Sequence, residues 1–197
     1  MENDLSKQFQ FLVEIDKLKK IQRQNILCDS SRTENSAEHS WHLAMSVLAL
    51  ADNAEGHIDI LKVLKMVLIH DIVEIDAGDA FLHTKAEQQE QNRKEVAAAE
   101  RIFSILPKDQ GTDFLNSWHE FEEGKTPEAK FAKAIDRVQP ALLHEATDMV
   151  IWQKYGTTFS QVMNRMEEVR VNTPKLWPKV KSVIDKAVAK GRLIVAD

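Results

Sequence analysis

"ILKVLKMVLIHDIVEIDAG" (residues 60–78) is apolar on nearly every side of a helix until it reaches His70 and Asp71. A helix without a polar face is normally central and buried. The stretch therefore predicts the middle helix of an all-α fold, running from Ile60 to about Ile75, capped by Asp59 and ended at Gly78. Its acids raise a problem, because an ionised carboxylate beside a buried segment is costly unless something compensates it. His70 and Glu74 are four residues apart and Asp71 and Glu74 three, so these side chains project near one another. A divalent cation would offset the desolvation of Asp71 and keep His70 neutral. The competing reading is a core histidine hydrogen-bonded to Asp71, with the other acids solvated at a helix end.

The flanking sequence supports helices throughout. Leu5, Phe9, Leu12, Ile15 and Leu18 recur at three- and four-residue spacing, which predicts an amphipathic helix over 4–22. Residues 24–35, QNILCDSSRTEN, are polar and aperiodic and are expected to form a loop. Asn35 stands three residues before Glu38, a capping-box spacing, and opens a helix over 36–54. A charged helix over 84–106 is expected to stop at Pro107, and a short one follows over 112–123. Thr126-Pro127-Glu128 combines a cap, a first-turn proline and an acid, and starts a helix that runs toward Lys154 with an interruption at Pro140. Helices over 158–171 and 175–190 complete the chain. No repeat or linker divides the 197 residues, so a single-domain helical bundle is expected, with helices 141–190 packed on a core spanning about 36–140.

Composition removes several classes of function. A net charge of −5 argues against a nucleic acid polymer as partner, although one pocket can still be locally positive. The N-terminal MENDLSKQFQ is too polar for a signal peptide, and no apolar run reaches membrane-spanning length. Cys28 is the only cysteine, which fits a reducing, cytoplasmic setting. Trp152, Trp177 and the tail LIVAD (193–197) are candidates for a homodimer contact, with intrachain packing as the alternative.

Two further positions bear on the acids of the central helix. His39 lies in the first turns of helix 36–54. Asp136 lies among small and apolar residues, with Ala132 and Ala134 permitting close helix approach, and Pro140 deprives its carbonyl of a donor. The blocks RTENSAEHS (32–40), HDIVEIDAGD (70–79) and EAKFAKAIDRVQP (128–140), in that order, resemble the HD-domain metal-dependent phosphohydrolase superfamily, most closely its 5′-deoxynucleotidase-like branch. The resemblance extends from about residue 5 to 175. It implies an HD-type helical bundle that holds one divalent metal (Mn²⁺, Co²⁺, Fe²⁺, Mg²⁺ or Zn²⁺) on His39, His70, Asp71 and Asp136. It implies Glu74 as the acid–base residue, Asp79 as a contact to the sugar, and a nucleoside 5′-monophosphate or related phosphorylated substrate. The bound metal would activate water and stabilise charge on the phosphoryl group. His42, three residues after His39, is expected to stand behind the ligands. The branch places an Arg-Trp pair before the RTEN block; here KKIQRQNIL (19–27) offers Arg23 for phosphate and no Trp, which puts 2′-deoxy selectivity in doubt. Two rivals remain at this point. One is a guanosine-alarmone hydrolase, whose consecutive acids are absent because Ile75 follows Glu74; the other is a non-catalytic metal-stabilised module. Asp76 receives no role beyond a solvated or capping acid, and His57, His83, His119 and His144 are expected to be ordinary surface or core residues.

Overall fold

Side-chain caps position the helices that frame the acids. A computed structural model describes residues 3–79 and 85–195 of the chain. Asn35 accepts from the Glu38 backbone while Glu38 returns a bond to the Asn35 N–H, opening α2 (Ser36–Leu50) with the expected capping box. Asp59 accepts from the N–H groups of Leu61 and Lys62 and opens α3 (Ile60–Ile69). Thr126, with Pro127 in the first turn, opens α7 (Pro127–Ala146). The remaining helices are α1 (Asp4–Ile15), α4 (Glu74–Ala77), α5 (Lys85–Phe103), α6 (Lys108–Glu123), α8 (Val150–Lys154), α9 (Phe159–Asn172) and α10 (Trp177–Ala189). The fold is mostly α-helical, as expected.

Four helix expectations need correction. The central helix stops at Ile69; residues 70–73 tighten into a 3-10 turn before α4 begins. Trp118 on α6 donates its indole N–H to the His70 carbonyl at 3.2 Å, a tertiary bond that a regular helix would compete for. α3 is also not enclosed on all sides, because Leu61 and Leu68 face outward. α7 continues through Pro140 and ends instead at Ala146, where Asp148 and Met149 adopt positive φ and turn the chain into α8. The N-terminal helix likewise ends early, at Ile15, and passes into a 3-10 turn over 16–20.

The expected loop 24–35 is largely a hairpin. β1 (Gln22–Ile26) pairs antiparallel with β2 (Thr33–Asn35), with Gln22 opposite Asn35 and Ile26 opposite Thr33. Three residues lie between the two contacts on β1 and one on β2, so β1 bulges between them. This puts Arg23 beside Glu34, with Nε and Oε1 at 3.4 Å.

Apolar burial fixes where the hairpin and helices converge. Leu43, Val47, Val63, Met66, Phe131 and Ile135 join α2, α3 and α7 in a central core. Val138, Val162, Val169, Val183 and Ile184 join α7 to α9 and α10. Phe11, Ile69, Ile72, Ile102, Phe103 and Trp118 join α1, α5 and α6 to the 3-10 turn. Trp152 belongs to the second of these cores and is buried, so the homodimer contact expected of it is replaced by intrachain packing. His83 and the last two residues of the tail lie outside the described residues.

Candidate metal centre

The 3-10 turn arranges the acids. With about three residues per turn, positions i and i+3 eclipse, which stacks Asp71 and Glu74 on one side. Arg23 meets both from β1, at 2.8 Å from Asp71 and 3.9 Å from Glu74. His70 is enclosed from the other side by Phe121, whose ring centroid lies 4.8 Å from its own. His39 enters from the first turns of α2, and its Nε2 lies 2.9 Å from Asp136 Oδ1 and 3.8 Å from Asp71 Oδ2. One ligand atom each from His39, His70 and Asp136 lies within 4.8 Å of the others, and all three residues are buried. Asp71 adjoins this cluster, with Oδ1 at 2.9 Å from His70 Nε2. The structure thus brings together all four residues expected as ligands.

The hydrogen bonds decide whether a cation fits. His70 Nδ1 is 3.0 Å from the Val67 carbonyl, which can only accept, so Nδ1 carries the proton. Its Nε2 is buried without a hydrogen-bond partner and faces two carboxylates. A neutral imidazole would oppose a lone pair to those oxygens. A cation, or a second proton, removes the conflict. Two imidazoles and two carboxylates form a borderline-to-hard donor set that suits a divalent ion. The protonation behaviour of the cation-free cluster agrees: burial disfavours imidazolium, yet Asp71 and Asp136 outweigh it and raise His70 to about 10. His39 is also raised, by Asp136 and Glu34 against the effect of burial. Asp136 is held well below the ordinary carboxylate range, where Arg137, His39 and His70 overcome desolvation.

Glu74 has the opposite character. Burial first, and then the neighbouring Asp71 charge, push it up to about 8, while Ser36 Oγ–H donates to its Oε2 at 2.6 Å and partly restrains the rise. A carboxyl poised near neutrality beside a polyanionic cluster can both hold and release a proton. Asp79, just beyond Gly78, is solvent-accessible at the rim and interacts electrostatically with Arg23 and Asp71. Asp76 points elsewhere: Arg101 pairs with it, Nη2 to Oδ1 at 2.8 Å, and with Glu14 at 2.7 Å, tying α4 to α5 and α1. Asp76 is exposed, as the solvated reading expected, and the pairing with Arg101 is added to it.

Sequence reasoning missed three enclosed partners. Ser36 is the first residue of α2 and engages Glu74. Glu34 and Gln139 are buried among the histidines: Gln139 lies 3.0 Å from His39, 3.1 Å from Glu34 and 3.0 Å from His42. Gln139 had one available signal, its position one turn after Asp136 on the same helix face. Glu34 had only its place in the RTENSAEHS block, because the polar stretch around it has no periodicity. Arg165 on α9 also interacts with Asp136 and Asp79 and was not singled out.

Known proteins share this fold. A solved structure described as a predicted metal-dependent phosphohydrolase from Magnetospirillum magnetotacticum MS-1 is 43% identical, with a TM-score of 0.91, covering 96% of this chain and 95% of that one. The 5′-deoxynucleotidase HDDC2 of Xenopus laevis is 28% identical over 134 residues, 68% of this chain and 65% of that protein. Its Bos taurus counterpart is 26% identical over 134 residues, 68% of this chain and 64% of that protein. The chain therefore spans just under two thirds of the length of these curated relatives. The family model for the HD domain matches residues 15–177. That match takes in the hairpin, the 3-10 turn and α7 together, and the chain belongs to the HD-domain family.

Proposed function

We propose that the chain is a metal-dependent phosphomonoesterase that releases phosphate from a small substrate, a (deoxy)nucleoside 5′-monophosphate. The observation that carries the reading is the buried, unpartnered Nε2 of His70, facing Asp71 and Asp136 beside the Nε2 of His39. In this reading His39, His70, Asp71 and Asp136 hold one divalent cation. When bound, the cation supplies Lewis acidity toward the phosphoryl oxygens and makes water a better nucleophile. The names of the Magnetospirillum and HDDC2 proteins support the same reaction class.

The remaining roles follow from the side chains. Ser36 occupies Glu74 Oε2, so Oε1 is the oxygen that takes the proton of the attacking water and returns it to the leaving 5′-oxygen. Arg23 offers a planar, multi-donor guanidinium to a phosphate oxygen. Asp79 at the rim accepts from the 3′-hydroxyl. The test is metal analysis combined with a panel of nucleotides and other phosphoesters. Turnover with Mn²⁺ or Co²⁺, lost in His70→Ala and Asp136→Ala and largely kept in His42→Ala, is expected. A protein inactive on every phosphoester with either metal overturns the reading.

A cytoplasmic setting belongs to the same proposal. Cys28 is an exposed free thiol, and no helix among the described residues is long and apolar enough to cross a membrane. So does a homodimer, on a different face from the one expected. Leu5, Phe9 and Leu12 form an exposed stripe on α1, Trp41, Met45 and Leu48 one on α2, and Leu61 and Leu68 one on α3. Leu12, Trp41 and Leu68 line a single groove, so the stripes are contiguous. A stable interface takes ~800 Å² from each partner, and a contiguous face of large apolar side chains about half or more exposed offers area of that kind. A second copy could cover it isologously. Light scattering of wild type and Trp41→Glu checks this: dimer and monomer are expected, and a monomeric wild type at micromolar concentration removes the proposal.

A further inference from the structure

α2 carries two histidines three residues apart, and both ring nitrogens labelled Nδ1 meet one side chain, that of Gln139. His39 Nδ1 is 3.0 Å from Gln139 Oε1, and His42 Nδ1 is 3.0 Å from Gln139 Nε2. Gln139 Nε2 is also 3.1 Å from Glu34 Oε2. Gln139 is fully buried on α7, one turn beyond Asp136.

Glu34 fixes the direction of every bond in this cluster. Its other oxygen faces Asn25 Nδ2 at 3.2 Å and Arg23 Nε at 3.4 Å, the surroundings of an ionised carboxylate that can only accept. The Gln139 group facing it must therefore be the NH₂, which leaves the amide oxygen toward His39. That oxygen accepts, so His39 carries a proton on Nδ1 and keeps its Nε2 lone pair for a cation, 2.9 Å from Asp136. The second amide N–H is donated to His42 Nδ1, so His42 is the opposite tautomer, protonated on Nε2. One oxygen and two N–H groups are thereby all used.

We propose that Gln139 is a positioning residue that assigns opposite tautomers to His39 and His42, turning the first toward the metal and keeping the second out of the ligand set. The proposal rests on the metal reading above. No other side chain at position 139 offers one acceptor and two donors at this reach. Glu, held protonated against the Glu34 carboxylate, keeps the acceptor for His39 and one donor for Glu34 and loses the donor to His42, and Met keeps the approximate shape and loses everything polar. Hydrogen bonds to the non-ligating nitrogen of a metal-binding histidine typically carry 10–100-fold in metal affinity.

The experiment uses the full chain loaded with Zn²⁺. Long-range ¹H–¹⁵N spectra of the histidine rings assign each tautomer, and chelator competition gives the Zn²⁺ affinity. In wild type, His39 is expected with Nδ1–H and metal-bound Nε2, and His42 as a free Nε2–H tautomer. Gln139→Met is expected to lower Zn²⁺ affinity about 10–100-fold. Gln139→Glu is expected to stay within about threefold of wild type, since it keeps the acceptor for His39, while the His42 signal shifts as its donor is lost. A wild-type spectrum with His39 as Nε2–H, or with His42 on the metal, overturns the proposal even if neither variant folds. So does Zn²⁺ affinity of Gln139→Met equal to wild type. Zn²⁺ bound with these tautomers but no phosphoester turned over would instead sink the proposed reaction and leave the role of Gln139 standing. Failure of wild type to bind Zn²⁺ overturns both.

Discussion

Gly111→Ala sets two known effects against each other. Gly111 lies in the first turns of α6, and a Cβ there would press into the Phe103 carbonyl at the end of α5, with its carbon at 3.3 Å and its oxygen closer still. A backbone carbonyl cannot rotate aside, so the helices must part by roughly 1 Å to regain ordinary contact. Overpacking of this kind costs about 3 kcal/mol at the upper end of its usual range. Alanine returns about 1 kcal/mol of helix propensity relative to glycine. The net loss is about 2 kcal/mol, which for a chain of this size lowers Tm by about 4–8 °C. α6 also carries Trp118, bonded to the His70 carbonyl, and Phe121, packed on the His70 ring, so its retreat loosens the seating of His70. Thermal melting followed by circular dichroism, with and without Mn²⁺, measures both consequences. A variant that melts at or above the wild-type temperature would refute the reasoning, because propensity alone would then have won.

Other consequences are open to measurement. Burial holds His144 at about 4, below its ordinary 6.5, with its ring 4.5 Å from Trp152. The unfolded chain therefore binds this proton first as pH falls, so stability is complete above about 6.5 and declines toward 4, by about 3 kcal/mol in all. In His144→Leu that part of the pH dependence of Tm should vanish, and an unchanged slope contradicts the assignment. Ser36→Ala removes the hydroxyl on Glu74 and should lower kcat roughly tenfold with KM little changed; a KM effect alone would point to substrate binding instead. Mn²⁺ at about 1,000 times its Kd should stabilise the protein by about 4 kcal/mol, or roughly 8–16 °C in Tm, reversibly with chelator and not in Asp136→Ala. An unmoved Tm argues that the cluster does not bind the ion.

Local chemistry was legible in the sequence, and long-range competition was not. The caps at Asn35, Asp59 and Thr126 depend on neighbours within three residues, and each formed as read. The order of His39, His70-Asp71 and Asp136 was likewise visible, and the fold gathered them. The end of α3 at Ile69 had no local mark, because an apolar run continues past it and the break accompanies a bond from Trp118, 48 residues away. The hairpin was hidden for a related reason: its strands bury polar and charged groups, so alternation of apolar residues never appears. An all-round apolar α3 implied full enclosure, whereas its Leu61 and Leu68 join an uncovered face.

The hairpin's pairing of Arg23 with Glu34 has a consequence for the charge state of the whole interior. With Glu74 keeping its proton, the buried carboxylates Glu34, Asp71 and Asp136 are three anions and the half-buried Arg23, which pairs with the first two, is one cation, which leaves two negative charges. Protons on both His39 and His70 cancel them, and so does one divalent ion with both rings neutral. Two protons and one M²⁺ are thus interchangeable occupants of a neutral interior. Monovalent ions would leave this set negative and trivalent ions positive, so a doubly charged ion matches it, with Arg137 meeting the outer oxygen of Asp136 at the edge.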